Sequence, residues 1–599
     1  MDWLGLHYSI WVVLALYFAA MLGLGWWCKR TIHDREGFLL GNRQFGTWYM
    51  VMHAFGAGTH PGDVAGVTSK TVERGASGIW VSWMWMFGTP FYWLIAPVVR
   101  RMRCLTMADY FEERFGKAAT VLYVIVATVG MTIATASVLL ATTRTVQGMM
   151  GKATVVKVVN AAEGAGAEAA AGEAAAAEAA KRPAWAARGV KSKREAEAWF
   201  FGILFITTAV FVVYSYWGGI VAAIKTDMAQ GLMIIALSFI AIPIALAEVK
   251  GWGSAKEILT TSAAAGGQAL SLFDPKYFSL LAVLVLCINA PFSMMAQPHL
   301  MSVTSAGKTE WEGRVGFTYG NVLKRICTMG WCFLALCWLA LLIKQGTTVH
   351  ADAAFGDSVR GLLPPLLQGI MLACVLAAAM SSGDALQVTI AGLFSQNIYR
   401  PYVRPGASEE HYVKATRVAG VVIIAASVAV AIAMRESVVK TILDYFKLTA
   451  TVGVSVVMGI LWRRMNSVGV FASTIAAASV FIVTRYVLHL SQAATTGYPL
   501  LAGVAFGILG SLAWLLILWL LGRPLEKQGI DKFFTKIYVP IGQEDKLERP
   551  LDEVVPADKR LCTAGGLFLV KPSTQSWVGF LVTVVICLAL VGIMVLLLG

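Results

Sequence analysis

The chain has 599 residues, of which 57% are hydrophobic and only 14% charged, with a mean hydropathy of +0.67; no soluble core could hide so much apolar surface, which excludes an ordinary water-soluble globule. The formal net charge of +14 would suit a nucleic-acid binder, but most of the Lys and Arg sit in short loops beside apolar runs, as the positive-inside rule requires of a membrane protein. The expected partner is therefore a lipid bilayer and not a nucleic acid.

Counting runs of about 18 or more mostly apolar residues gives roughly fourteen spans. The run 10–28 ends in Lys29-Arg30 without a small-residue cleavage site, so it reads as a retained helix and not a signal peptide. With Lys29, Arg30, Arg35 and Arg43 following it, it enters from outside and leaves the N-terminus external. The segment 48–67 is interrupted by Gly56, Gly58, Pro61, Gly62 and Gly66. That density points to a broken helix, whose freed carbonyls can hold ions or substrates at the midplane; a kinked helix satisfied by its neighbours is the alternative. The span 78–98 carries Trp80, Trp83, Trp85, Tyr92 and Trp93, suited to stacking on a ring, to an outer gate, or to an interfacial aromatic belt. Arg100, Arg101 and Arg103 then mark the cytoplasmic side.

After the span 118–149 comes an Ala/Glu tract with a basic run through Lys191, Lys193 and Arg194. Residues 151–198 read as a solvated low-complexity insertion with no transport role. A span at 199–216 follows, and Asp227 opens the next helix, where Thr or Asp can cap free amides. The span 278–296 contains Asn289, Pro291, Phe292 and Ser293 and reads as a second interrupted helix. Cys327, Cys332 and Cys337 recur at five-residue spacing, which spreads them around a helix; they read as packing residues rather than metal ligands.

The apolar helix 368–393 holds Ala378, Ser381, Ser382 and Asp384 well away from its ends. A charge at that depth costs about 2.5 to 3.5 kcal/mol, so a reason for it is required. Ala378, Ser381 and Ser382 fall at i, i+3 and i+4, placing one carbonyl and two hydroxyl oxygens on one face that suits Na⁺. The competing reading is that the serines bond their own i−4 carbonyls or a neighbouring helix. Further spans follow at 414–434, 438–462, 469–488, 500–521 and 576–598. In the second of these Asp444, Tyr445 and Lys447 lie near the outer end, where Lys447 either snorkels or meets a solute carboxylate. The stretch 522–575, charged in both signs and carrying Pro540, Pro550 and Pro556, reads as an irregular cytoplasmic loop. Fourteen spans return the C-terminus to the outside. No HExxH, GxSxG or phosphate-cradling loop occurs, and no enzymatic activity is expected.

Several stretches resemble the sodium/solute symporter family: Asp34-Arg35-Glu36-Gly37-Phe38 through Arg43; Thr106-Met107-Ala108-Asp109-Tyr110 through Gly116; Gly218-Gly219 through Thr226-Asp227 and Gln230; Gln297-Pro298-His299; and 362–384 with Asn397-Ile398-Tyr399-Arg400. The resemblance implies an all-α polytopic membrane protein built as an inverted five-plus-five helix repeat, the leucine-transporter-like fold, with about 14 transmembrane helices. Residues 1–44 would form a leading helix and first cytoplasmic loop, 45–462 the ten-helix core, and 463–599 three accessory helices with the loop 522–575. It implies a sodium site at Gly56, Thr59, Ala378, Ser381 and Ser382, with Asp227 helping release sodium inward. The solute would meet His60, Asp63, Trp83, Asn289, Phe292, Ser293 and Tyr445. Na⁺ is the implied coupling ion, with no organic cofactor, in a plasma membrane of the bacterial inner-membrane type.

The implied function is sodium-coupled uptake of a small polar organic solute by alternating access. A proton-coupled carrier titrating Asp63 or His60, and a transporter-like nutrient sensor, are the alternatives. This chain departs from the family at Ala385, where a third serine is common, at Gly58, where proline transporters have aspartate, at Ala296 in place of glycine, and at Val303 in place of arginine. Asp63 points to a hydroxyl-rich or cationic solute.

Overall fold

Backbone amides have no partner in lipid unless the chain supplies one, and helices supply it locally. The computed structural model describes residues 2–3, 6–29, 43–152, 193–262, 268–347, 349–525 and 529–599, and it is helical almost throughout, with only two short hairpins among them. The motif at 34–42 and most of the insertion, 153–192, lie outside the described residues, as does the side chain of Asp384.

The first half of the chain contains α1 (Tyr8–Lys29), α2 (Thr47–Gly58), α3 (Pro61–Arg74), α4 (Trp80–Trp83), α5 (Tyr92–Arg101), α6 (Met107–Phe115), α7 (Lys117–Met149), α8 (Lys193–Phe239), α9 (Ile242–Val249) and α10 (Trp252–Thr261). The second holds α11 (Leu280–Ala296), α12 (His299–Ser305), α13 (Glu310–Lys344), α14 (Ala354–Leu362), α15 (Pro365–Phe394), α16 (Glu409–Ala433) and α17 (Val438–Leu461). Then come α18 (Ser467–Ile482), α19 (Gln492–Leu520), α20 (Ile530–Tyr538) and α21 (Thr574–Leu598). Among the described residues nine helices are long and apolar enough to cross a membrane, ten if the bent pair α11/α12 is one span, against roughly fourteen expected. Part of the difference lies in stretches built of shorter pieces. The expected span 78–98, for example, is divided into α4, a 3₁₀ segment containing Pro90, and α5.

The first break falls where glycine and proline place it. Thr59 and His60 are extended between α2 and α3, with ψ of 99° and 163°. Pro61 disfavours helical geometry in the residue before it and is itself well suited to the first position of a new helix. The second break is displaced from its expected place. α11 runs unbroken through Asn289, Pro291, Phe292 and Ser293, and the chain bends by 77° only after Ala296. Gln297, before Pro298, is the extended residue there, with ψ of 120°; the same pre-proline constraint acts, four residues or more beyond the expected interruption.

Asp227 also lies elsewhere than expected. α8 is one continuous helix of 47 residues, about 70 Å long at 1.5 Å per residue. Asp227 therefore sits in its interior and does not cap a helix start. The expected irregular loop 522–575 contains the amphipathic helix α20, whose Phe533 and Phe534 are buried and whose rings lie 5.7 and 5.8 Å from the Arg114 guanidinium. Lys447 does not snorkel. It is 4% exposed and donates to Gln492 Oε1 at 2.5 Å and Thr495 Oγ1 at 2.7 Å.

Two close approaches set the core geometry. A Cβ on Gly320 would lie 2.7 Å from the Val51 carbonyl, and one on Gly316 would lie 2.6 Å from Met50 Cβ, so this small-xxx-small pair presses α13 onto α2. A Cβ on Gly453 would lie 2.0 Å from the Phe292 carbonyl, which fixes α17 against α11. At one end of the bundle Arg114 donates to the carbonyls of Gly459, Trp462 and Arg463 at 3.0 to 3.2 Å, closing the C-terminus of α17. Asp109 accepts from Asn397 Nδ2 at 2.8 Å, tying the 106–116 motif to the end of α15.

In the connection between α13 and α15, burial pushes the Asp357 carboxyl up to about 6, against the opposing influence of Arg360. A raised acid pKa means that the folded protein favours the neutral form, so stability is lost as pH rises from about 4 to about 6 and stays lost above. Asp357→Asn should therefore stabilise the protein by about 2–3 kcal/mol at pH 7.5 and by nothing below pH 4, as read from unfolding curves across that range.

Candidate functional site

The break in α2/α3 and the middle of α15 meet at Gly56. The Gly56 carbonyl accepts the Thr59 amide at 3.1 Å and the Ser382 hydroxyl at 3.0 Å. Ser381 Oγ and Asp227 Oδ1 lie 2.5 and 3.3 Å from where a Cβ on Gly56 would stand, so a side chain there would fill the space these oxygens share. Asp227 is fully buried, and its Oδ2 lies 2.5 Å from Nδ1 of the equally buried His53. Ala378 is fully buried one turn before Ser382.

Three buried oxygens around this point have no hydrogen-bond partner outside their own group: Thr59 Oγ1 has none, and Ser381 Oγ and the Asp227 carboxylate oxygen Oδ1 have at most each other. Buried polar atoms are seldom left so, and hard cations take oxygen ligands of this kind. The donor set fits a small monovalent cation, with neutral oxygens and one carboxylate to balance its charge. Gly56, Ser381 and Ser382 are thus brought together, with Thr59 and Ala378 alongside. Asp227 stands beside the same oxygens, not at a distant helix end.

On the other side of the break Asp63 Oδ2 accepts the His60 amide at 3.2 Å, and His60 Nε2 lies 3.6 Å from the same oxygen. The Lys324 ammonium, from α13, lies 2.8 Å from Asp63 Oδ2 and also donates to the Gly58 carbonyl. Asp63 is therefore already neutralised, which removes the basis for expecting a cationic solute. Next to Lys324, Arg325 donates to the Ser82 carbonyl at 2.8 Å and the Ser82 hydroxyl at 3.0 Å.

The remaining expected solute contacts are dispersed. Trp83 is wholly buried and donates its indole N–H to the Arg325 carbonyl at 3.1 Å. Ser293 donates to the Phe446 carbonyl at 3.1 Å and lies 3.2 Å from Thr449 Oγ1, so it joins α11 to α17. Phe292, half-buried, sits where its carbonyl meets Gly453. Asn289 lines a small cavity with Lys447, Thr495 and Pro499, between α11, α17 and α19. Tyr445 is buried among Met131, Val138 and Ala379, with its hydroxyl unpartnered.

His53 and Lys324 escaped the sequence reading. A Lys-Arg pair in the middle of an apolar 35-residue helix was itself a signal. His53, one turn before Gly56, gave none until α8 was placed beside it.

A multi-pass helical bundle with an interrupted helix facing buried hydroxyls defines a membrane transporter. The family model for the sodium:solute symporter family matches residues 38–162 and 201–477, and the chain belongs to that family. It is 24% identical over 528 residues to the osmoregulated proline transporter OpuE of Bacillus subtilis (strain 168), covering 86% of this chain and 95% of that protein. It is 22% identical over 532 residues to the sodium/proline symporter of Escherichia coli (strain K12), covering 84% and 92%. A solved Na⁺-coupled sialic acid symporter, in a substrate-bound outward-open state, superposes with a TM-score of 0.64 at 16% identity, covering 84% of this chain and 98% of that one. The fold is shared with that structure, and the activity is transport, not catalysis.

Removing one member of the His53–Asp227 pair should strand the other in a dry interior. His53→Leu or Asp227→Leu alone is expected to cost about 3–5 kcal/mol, and the double replacement markedly less than the sum, measured as a double-mutant cycle on unfolding of the purified protein.

Proposed function

We propose that this protein is a sodium-coupled symporter that moves a small polar organic solute into the cell by alternating access. The observation that carries this reading is the cluster of buried oxygens around the Gly56 carbonyl, Thr59 Oγ1, Ser381 Oγ and Asp227 Oδ1, which no group outside the cluster satisfies. Na⁺ is held by Gly56, Thr59, Ala378, Ser381 and Ser382, with Asp227 supplying the counter-charge and easing inward release. Bound there, it bridges the broken helix to α15, favours the outward-open state and preforms the solute pocket. This is a differential affinity of the kind that any population shift requires. The solute sits near His60 and Asp63, with Trp83, Phe292, Ser293 and Tyr445 shaping the surrounding wall; Asn289 is the weakest member of that set.

In this reading residues 45–462 form the ten-helix core as an inverted five-plus-five repeat led by α2/α3 and α11/α12. The two apolar stretches of α8 count as separate members. One helix precedes the core and three follow within 463–599, making about fourteen in all, in a bacterial-type plasma membrane with both termini outside. Each inward positive charge then gains about 2.3 kcal/mol per 100 mV. The names of the proline-transporting relatives make an amino-acid-like solute a natural first candidate.

The His53–Asp227 pair, directly beside Ser381, favours one second reading, in which a proton takes the part of sodium.

Binding of Na⁺ to the folded state alone should raise the unfolding temperature as NaCl replaces choline chloride. Ser381→Ala with Ser382→Ala should raise the half-saturating sodium concentration at least about tenfold, a loss of about 1.4 kcal/mol. No response to sodium in the unaltered protein, with stabilisation that tracks pH instead, would select the proton reading.

A further inference from the structure

The interior of α13 carries more positive charge than its surroundings balance. Lys324 and Arg325 are 6% and 2% exposed, midway along an apolar span. Asp63 neutralises one of them, through Lys324 at 2.8 Å. Arg325 has no carboxylate within ion-pair distance among the described residues; its contacts are the carbonyl and hydroxyl of Ser82. Protonation of His60 would only add to the surplus. An uncompensated buried cation is strongly unfavourable.

The donor inventory leans the same way. Arg325 Nε and Trp85 Nε1 are buried N–H groups with no acceptor, and a tryptophan or guanidinium nitrogen can only donate. Trp85 follows Ser82 by three residues, and its amide donates to the Ser82 carbonyl at 3.5 Å, so it belongs to the stretch that holds Arg325. Its ring meets Phe446 at 4.3 Å between centroids. A surplus positive charge and orphaned donors beside aromatic walls call for an anionic group with an apolar body.

We infer that the solute carries a carboxylate, and that Lys324 and Arg325 on α13 are the residues that select for it. The carboxylate supplies the missing negative charge and accepts from the donors of this wall, while Lys324 balances the charge of Asp63 so that the acid does not repel it. A cationic solute would meet the net positive charge that remains and is excluded. This inference rests on the transport reading above and specifies the chemistry of its cargo.

The test is thermal unfolding of the purified full chain in sodium, titrated with short-chain monocarboxylates, amino acids, and the primary amides and primary amines of the same chains. The expected result is that only carboxylate-bearing members raise the unfolding temperature. Lys324→Met should raise the half-saturating concentration of the best carboxylate at least about tenfold, and Lys324→Arg should recover most of the loss. Should Lys324→Met not fold, the panel on the unaltered protein decides alone. The inference is overturned if amides or amines stabilise as well as the acids, or if no carboxylate stabilises at all. Sodium stabilisation without carboxylate selectivity defeats this inference only, whereas absence of any sodium effect defeats the coupling reading beneath it.

Discussion

An oxygen atom cut off from water and from every donor is costly, and the centre of this protein is organised around that cost. The interruption at Thr59–His60 ends one helix and starts another, which frees backbone groups that a continuous helix would have used. The Gly56 carbonyl finds the Thr59 amide and the Ser382 hydroxyl, and the Gly58 carbonyl finds Lys324. What remains is a small set of oxygens that neighbouring helices approach closely yet do not satisfy. Elsewhere in the bundle, hydroxyls mostly return to their own helix, as Thr142, Thr143 and Ser238 do. Other unpartnered hydroxyls occur in the bundle, at Ser455, Ser473 and Thr474 for example; what marks this point is that several such oxygens gather where one helix is broken.

Charge is handled on two sides of the same interruption. On one side a buried carboxylate, Asp227, is matched by an imidazole. On the other a buried carboxylate, Asp63, is matched by an ammonium and by the helix-start amide of His60. Each arrangement costs desolvation that hydrophobic replacements would avoid, so stability alone does not explain keeping them. In the proposed transport cycle they would present charge to a passing ion or solute without leaving it bare.

Much of this was legible in the chain itself. Glycines and prolines between 56 and 66 located the first interruption because proline acts on its immediate neighbours, and Ala378, Ser381 and Ser382 shared a face because helical spacing is fixed. The second interruption was misplaced for an equally local reason. Pro291 is tolerated inside α11, whereas the Gln297-Pro298 step is where the chain bends. A new helix was expected to open at Asp227, yet the backbone runs helical through Gly218, Gly219 and Asp227 alike, and this moves Asp227 from a helix end to the core. Lys324 and His53 acquire meaning only from partners 261 and 174 positions away, and no period in the sequence records such pairings.

The glycine contacts along α13 carry a mechanical consequence. Gly316 and Gly320 bring its backbone against that of α2, so those two helices are joined over an area and resist sliding past one another. α13 also reaches α3 through the flexible stem of Lys324. The Thr59–His60 step is then an elbow with both arms resting on α13: the near arm backbone to backbone at the glycines, the far arm through Lys324 and the Thr71–Cys332 contact.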